Sequence, residues 1–261
     1  MAEVLIKRKK LESSLKGKKV LVTGSTKGIG FYIAKAFYSL GSDVILNGRT
    51  DKGLTLAKNK LPGSSGYIAD LTDSKHAQNL AKSIENDFGG LDILICNVGS
   101  GKSVQPGDEN YREWQAVFGT NFFSATNIIE SSINLLSASN GSIVCISSIC
   151  GQEVIEGAPI TYSCAKAALN HYIKAVSRPF GALKVRINGV APGNIIFKGS
   201  TWEEKLETNF DQVQEYLSIN VALNKLGTPD DVANVVVFLA SPENNFATGQ
   251  VWNIDGGQTK S

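Results

Sequence analysis

"KVLVTGSTKGIGFYIAKAFYSLG", residues 19–41, passes from a short apolar run through a glycine-rich turn into a helical pattern. Gly24 can take a tight strand-to-helix turn, and Gly28 and Gly30 allow backbone and helix to come close to a pyrophosphate. A helix N-terminus favours that anion, because its first N–H groups are free and its dipole is positive there. Any tight β-α turn selects glycine, so the triplet alone decides little. Its place after the first strand of a repeating β-α chain is what points to a dinucleotide.

Six further β-rich apolar runs follow, at 43–48, 66–70, 91–97, 142–147, 185–192 and 250–255, with helical stretches between them. Strands separated by helices predict a parallel sheet. Nearly continuous apolar strands predict helices on both faces, hence one doubly wound α/β domain of Rossmann type with about seven strands. That domain is expected over 16–261, after a flexible arm over 1–15 that carries the basic run Lys7 to Lys10. The stretch 194–225 is long and polar in its middle, and reads either as an active-site lid bearing one or two helices or as a plain surface insertion.

Lys+Arg 26 against Asp+Glu 24 leaves a charge of +2, which gives no electrostatic case for a nucleic-acid or membrane partner. The charged N-terminus lacks the apolar segment of a secretory signal, no window is long and apolar enough to span a bilayer, and the chain reads as cytoplasmic. Cys96, Cys145, Cys150 and Cys164 lack the paired spacing of a zinc site, so no metal is expected and free thiols are the reading.

In "APITYSCAKAALN" (158–170), Tyr162 and Lys166 stand four residues apart and share one helical face. A free phenol, with a pKa of about 10, is poorly suited to proton transfer near neutrality, and a neighbouring ammonium would lower it. Leu169 and Cys164 are expected to pack this helix on the sheet.

The spacing Thr-Gly-x-x-x-Gly-x-Gly, followed in order by "DLT" (70–72), "NVG" (97–99), Asn121, Ser148, Tyr162/Lys166, "APG" (191–193) and "TGQVWNIDGG" (248–257), resembles the short-chain dehydrogenase/reductase family over essentially 16–259. The C-terminal half looks like the 3-oxoacyl-carrier-protein reductase branch. The resemblance implies a catalytic set of Ser148, Tyr162, Lys166 and Asn121. It implies a nicotinamide dinucleotide held by Gly24, Ser25, Thr26, Lys27, Gly28, Ile29 and Gly30, by Asp70 and Leu71 near the adenine, by Asn97 and Gly99, by Tyr162 and Lys166, and by Pro192, Gly193 and Ile195 at the carboxamide. It also implies a homotetramer or a dimer.

Several departures matter. Gly48 stands where a ribose-binding acid would align, and Arg49 and Lys27 supply two cations, which favours NADP(H) over NAD(H) unless both are merely solvated surface charges. Cys96 and Val98 replace the usual Asn and Ala around Asn97. Ser148 has Gly151 three residues on, as in the family, but lies fourteen residues before Tyr162 instead of about thirteen, which implies one extra residue in "QEVIEGAPI". Ser147 fits neither relation. Phe197 replaces a threonine that often assists the cofactor, and Val154, Phe197 and Trp202 are candidate substrate-pocket residues with packing as the alternative. The expected activity is reduction of a ketone or aldehyde, or oxidation of the alcohol. A sugar or polyol dehydrogenase, suggested by the polar lid and by Glu153 and Glu156, and a non-catalytic NADP(H)-binding sensor are the alternatives.

Overall fold

The computed structural model describes residues 11–260. Its seven strands are β1 (Lys19–Val22), β2 (Asp43–Gly48), β3 (Ser65–Ile68), β4 (Ile93–Cys96), β5 (Ser142–Ile146), β6 (Arg186–Pro192) and β7 (Val251–Ile254). Each overlaps one of the seven apolar runs read from the sequence, and only β3 starts outside its run, one residue early at Ser65. They form one parallel sheet in the order β3-β2-β1-β4-β5-β6-β7. Chain order reverses between β1 and β4, and in open parallel sheets a ligand crevice opens at the carboxyl ends of the strands at such a point.

The alternation of side chains along each strand explains why both faces are covered. Val20 and Val22 of β1, with Ile93 and Ile95 of β4, point into one core with helices α1 (Gly28–Ser39) and α9 (Pro229–Ala240). Leu21, Leu94, Cys96, Ile143 and Cys145 point into the other, against α3 (Ser74–Phe88), α5 (Ser124–Ala138) and α6 (Ile160–Ala182). The short α2 (Asp51–Lys60) starts at Thr50, whose hydroxyl accepts the Gly53 N–H.

Helix α4 (Tyr111–Phe118) leads without a break into a π-helical segment, Gly119–Phe123, and then into α5. Between β6 and α9 lie two helices, α7 (Thr201–Thr208) and α8 (Phe210–Asn220), as the polar excursion predicted. Val213, Leu217 and Val221 give this excursion a small core of its own, with Trp202 and Tyr216 packed on it.

Two expectations need correction. The domain begins before residue 16, because residues 11–15 are helical and Leu15 is fully buried in the first core. Leu15 also accepts the Ser42 hydroxyl through its carbonyl at 2.9 Å. Apolar residues outside a clear periodic pattern hid this turn; Lys7 to Lys10 lie outside the described residues. Cys164 does not pack on the sheet: it sits on the side of α6 away from Lys166 and Leu169, and is exposed.

Leu15→Ala should destabilise the fold by about 2–4 kcal/mol, the usual cost of a buried leucine truncation. Urea denaturation measures it; a change under about 0.5 kcal/mol, typical of surface sites, would place residues 11–15 outside the cooperative unit.

Candidate active site

The residues expected at the site gather along the carboxyl edge of the sheet. After β1, Gly28 takes φ +57°, a conformation that side-chain-bearing residues rarely adopt. The residue before α1, Lys27, gives no side-chain cap to the first amides of the helix, so those N–H groups are left for an anion. A Cβ on Gly30 would lie 2.3 Å from Asn97 Nδ2 and 2.6 Å from the Gly24 carbonyl oxygen, so helix, turn and the end of β4 meet at van der Waals limits. This cradle fits a dinucleotide pyrophosphate.

The turn is held by groups from the neighbouring strands. The Thr23 hydroxyl donates to the Ile95 carbonyl at 3.1 Å and accepts the Asn97 N–H at 2.8 Å. Asn97 Nδ2 donates to the Thr23 and Gly24 carbonyls at 2.9 and 3.2 Å. From the other side, the buried Asn47 carboxamide accepts the Gly24 N–H at 3.2 Å and donates to the Ala69 carbonyl at 3.2 Å. Asn47 was missed by the sequence reading. Its signal was a carboxamide inside the apolar run "DVILNG", where burial without partners would be costly.

At the far end of the crevice, Lys27 and Arg49 are exposed. Asp70 is held below the usual carboxylate range: burial pushes its pKa up, but hydrogen bonds from the Thr72 N–H and hydroxyl, with the charges of Arg49 and His76, outweigh it. Arg49 and Asp70 are thus electrostatic neighbours. The buried Leu71 is fixed through its carbonyl, which accepts Asn127 Nδ2 at 2.9 Å.

Tyr162, Lys166, Ser148 and Asn121 converge beside β4 and β5. Lys166 is 3% exposed, and Nζ donates to the Ile146 carbonyl at 2.8 Å. Nζ stands 5.9 Å from the centre of the Tyr162 ring. A Cβ placed on Gly99 would lie 3.0 Å from Asn121 Oδ1 and 3.3 Å from Lys166 Nζ, so only a glycine separates these two side chains. Asn121 is fixed in the π-helical segment: Oδ1 accepts the Ser100 N–H at 2.9 Å, and Nδ2 donates to the carbonyls of Ser100 and Val117 at 3.1 Å each. Single-turn π-bulges are frequent at functional sites.

Burial pushes Lys166 down to about 8, opposed by the adjacent Cys145 and Cys96 thiols, which face each other across β4 and β5. Tyr162 is pushed up to about 12, chiefly by burial, against the Ser148 hydrogen bond that pulls it down. The expectation that the lysine lowers the phenol is therefore not met in this geometry. The ammonium is turned to the Ile146 carbonyl, and burial dominates the hydroxyl.

The two serines have different partners. Ser147 Oγ is buried, bonded to Asn170 Oδ1 and, at 3.5 Å, to the Lys166 carbonyl. Asn170 Nδ2 in turn donates to the Gly151 carbonyl at 3.0 Å. Ser148 Oγ accepts the Cys150 N–H at 3.2 Å, opening the 3₁₀ turn Ile149–Gly151, and bonds Tyr162. Gly151 is needed because a Cβ there would lie 2.5 Å from the Lys166 carbonyl carbon. Asn170, one helical turn beyond Lys166 on the same face, was also missed.

The pocket candidates separate. Val154 is fully exposed at the tip of its loop and is not gathered with the others. Trp202 stacks on Tyr216, ring centres 5.3 Å apart, within the core of the excursion. Phe197 lies against the glycine-rich turn, its Cε2 3.0 Å from where a Gly28 Cβ would be. Pro192 ends β6, Gly193 N–H bonds the Ile254 carbonyl at 3.0 Å, and Ile195 is buried beside Gly227.

The chain is similar to known proteins over nearly its whole length. Residues 24–259 match the family model described as enoyl-(acyl carrier protein) reductase. The chain is 31% identical over 255 residues to 3-oxoacyl-[acyl-carrier-protein] reductase of Chlamydia muridarum, covering 95% of this chain and 99% of that one. It is 29% identical to gluconate 5-dehydrogenase of Gluconobacter oxydans, covering 95% and 97%. Among solved structures, L-sorbose reductase from Gluconobacter frateurii, complexed with NADPH and L-sorbose, superposes with a TM-score of 0.87 at 25% identity, covering 96% and 99% of the two chains.

Ser148→Ala should abolish most turnover with little change in stability, whereas Ser147→Ala should keep most turnover and lose about 1 kcal/mol, the scale of one internal hydrogen bond. Steady-state kinetics and urea denaturation of both variants decide; the reverse ranking in turnover would reassign the serine.

Folding lowers the Lys166 pKa to about 8 from 10.5, so between those values the unfolded chain binds more protons and the lysine's contribution to stability rises with pH. Lys166→Met, which cannot titrate, should be more stable than wild type at pH 7 by up to about 3 kcal/mol. That gap should shrink as pH rises from 8 towards 10.5. A gap that is independent of pH would contradict the lowered pKa.

Proposed function

The chain belongs to the short-chain dehydrogenase/reductase family and is an oxidoreductase acting on CH–OH or carbonyl groups; from that premise we propose an NADPH-dependent carbonyl reductase, of 3-oxoacyl-thioester reductase type, with a Ser148-Tyr162-Lys166-Asn121 site. The observation that carries this reading is the convergence of those four side chains beside β4 and β5, with an uncapped helix N-terminus following the neighbouring β1. The dinucleotide, when bound, supplies the hydride. Gly24 to Gly30 would hold its pyrophosphate, Asp70 and Leu71 its adenine, Asn97 and Gly99 its middle, Lys166 and Tyr162 its nicotinamide ribose, and Pro192, Gly193 and Ile195 its carboxamide.

Ser148 is suited to orient the substrate oxygen, because the Cys150 N–H held on its lone pair fixes the hydroxyl beside Tyr162. Tyr162 keeps its proton at neutral pH and can release it to an oxygen that becomes basic as hydride arrives. Lys166, whose ammonium is turned to the Ile146 carbonyl, is assigned to the nicotinamide ribose and not to the phenol, and Asn121 fixes the 99–100 backbone next to the ammonium. Residues 194–225 form the lid over this site. A homotetramer is the assembly that goes with this reading, and Tyr111, Phe123, Phe238 and Trp252 are exposed aromatic side chains that a subunit contact could cover.

A sugar or polyol substrate is the second reading, favoured by the likeness to the sorbose reductase. In a spectrophotometric panel of ketones, 3-oxoacyl thioesters and keto sugars, 3-oxoacyl thioesters should give the highest kcat/KM and NADPH should exceed NADH at least tenfold. Arg49→Asp should reverse or erase the cofactor ratio. Equal kcat/KM for the two cofactors in the wild type would refute the NADPH assignment, and binding of NADPH with no turnover on any substrate would favour a sensor.

A further inference from the structure

Residues 255–260 touch both segments that border the proposed substrate site. After β7, the Asp255 carboxylate gathers the tail into a compact turn: Oδ1 accepts the Gly257 N–H at 3.0 Å, and Oδ2 accepts the Thr259 N–H at 2.9 Å and the Thr259 hydroxyl at 2.7 Å. Asn253 Nδ2 secures the same threonine at 2.9 Å. These bonds fix the tail's direction relative to the sheet.

From that turn, contacts run two ways. Towards the lid, the Leu223 N–H donates to the Gly256 carbonyl at 2.9 Å, and the buried Gln258 donates through Nε2 to the Tyr216 hydroxyl of α8 at 2.8 Å. The same hydroxyl accepts Asn194 Nδ2 at 3.4 Å, from the turn after β6. Towards the loop after β5, the Lys260 N–H donates to Glu153 Oε1 at 2.8 Å, across 107 residues of sequence. Glu153 lies in the stretch that carries the extra residue between Ser148 and Tyr162.

We propose that residues 255–260 are a strap that ties the 150–157 loop to the lid and sets the gap between them, and thereby the largest substituent a carbonyl substrate can carry. The strap rests on the proposed function only in its last step, that these two segments face the substrate. Glu153 serves the strap and not a polyhydroxylated substrate, so its presence in the loop does not argue for a polyol.

Two variants cut the strap at separate points. A chain ending at Thr259 removes the Lys260 N–H and sets a terminal carboxylate near Glu153; Tyr216→Phe removes the acceptor of Gln258 and Asn194. Hydrogen–deuterium exchange on each variant, without added ligand, should show about tenfold faster exchange in 152–158 for the first and in 210–222 for the second, with β4 and β5 unchanged. With NADPH, each should raise kcat/KM for branched or long-chain ketones relative to a small ketone about tenfold, while kcat on the small ketone stays within about twofold. Unchanged exchange in both segments would overturn the strap. Faster exchange with unmoved size preference would overturn its role in specificity. If the wild type shows no nicotinamide-linked turnover, the exchange results still decide the strap, and only the proposed function fails.

Discussion

A lysine ammonium that is almost wholly buried, answered by a main-chain carbonyl and flanked by two thiols, is the constraint on which the rest of the site depends. An isolated buried charge is costly, and this one persists only because α6 is pressed onto the end of β5 closely enough for Nζ to reach the Ile146 carbonyl. That closeness is what Gly151 permits. A side chain there would strike the helix backbone at Lys166, pushing the 3₁₀ turn and Ser148 away from Tyr162. Ser147 and Asn170 then lock the same junction from inside, so that one serine anchors the helix and the next remains at the mouth of the site.

All seven strands were legible because each is an apolar run bounded by glycine or polar punctuation, and a parallel sheet covered on both faces leaves no polar alternation to confuse the pattern. The glycine-rich turn and the Tyr162/Lys166 pair were legible because each depends on a fixed short spacing. Asn47, Ser100 and Asn170 were not, because their roles are made by contacts between distant segments. Asn47 meets Gly24 and Ala69 only once β1, β2 and β3 are side by side. Leu15 and Cys164 were misplaced for a related reason. A single helical turn before β1 has too little periodicity to announce itself, and an unpolar cysteine on a helix says nothing about which side it occupies.

The choice between the serines shows what spacing can and cannot carry. Counting back from Tyr162 gave an ambiguous answer, since the intervening loop holds an extra residue. Counting forward to Gly151 picked out the serine that stands beside Tyr162, because that interval spans a rigid 3₁₀ turn whose far end is clamped on α6. Short intervals within one rigid element survive insertions elsewhere, and intervals that cross a loop do not. The extra length is taken up at the surface, where Val154 is fully exposed, while Glu153 at its base is drawn to the C-terminal tail.

Phe197 gives the lid a second attachment of a different kind. Its ring rests on Gly28, whose left-handed backbone leaves no side chain in the way, and its N–H donates to Ser200 Oγ, the cap that starts α7. Ser200 Oγ also accepts the Glu203 N–H at 3.1 Å, so the aromatic contact and the first turn of the lid form one unit. A threonine at 197 would offer a hydroxyl to a polar neighbour; phenylalanine offers only area, and that area is spent against the anion-binding turn. Phe197, near the start of the 194–225 excursion, and the glycine-rich turn are therefore in direct contact. Any movement of Gly28 or of the groups around it must be felt by α7, which makes the glycine-rich turn part of the support of the 194–225 excursion.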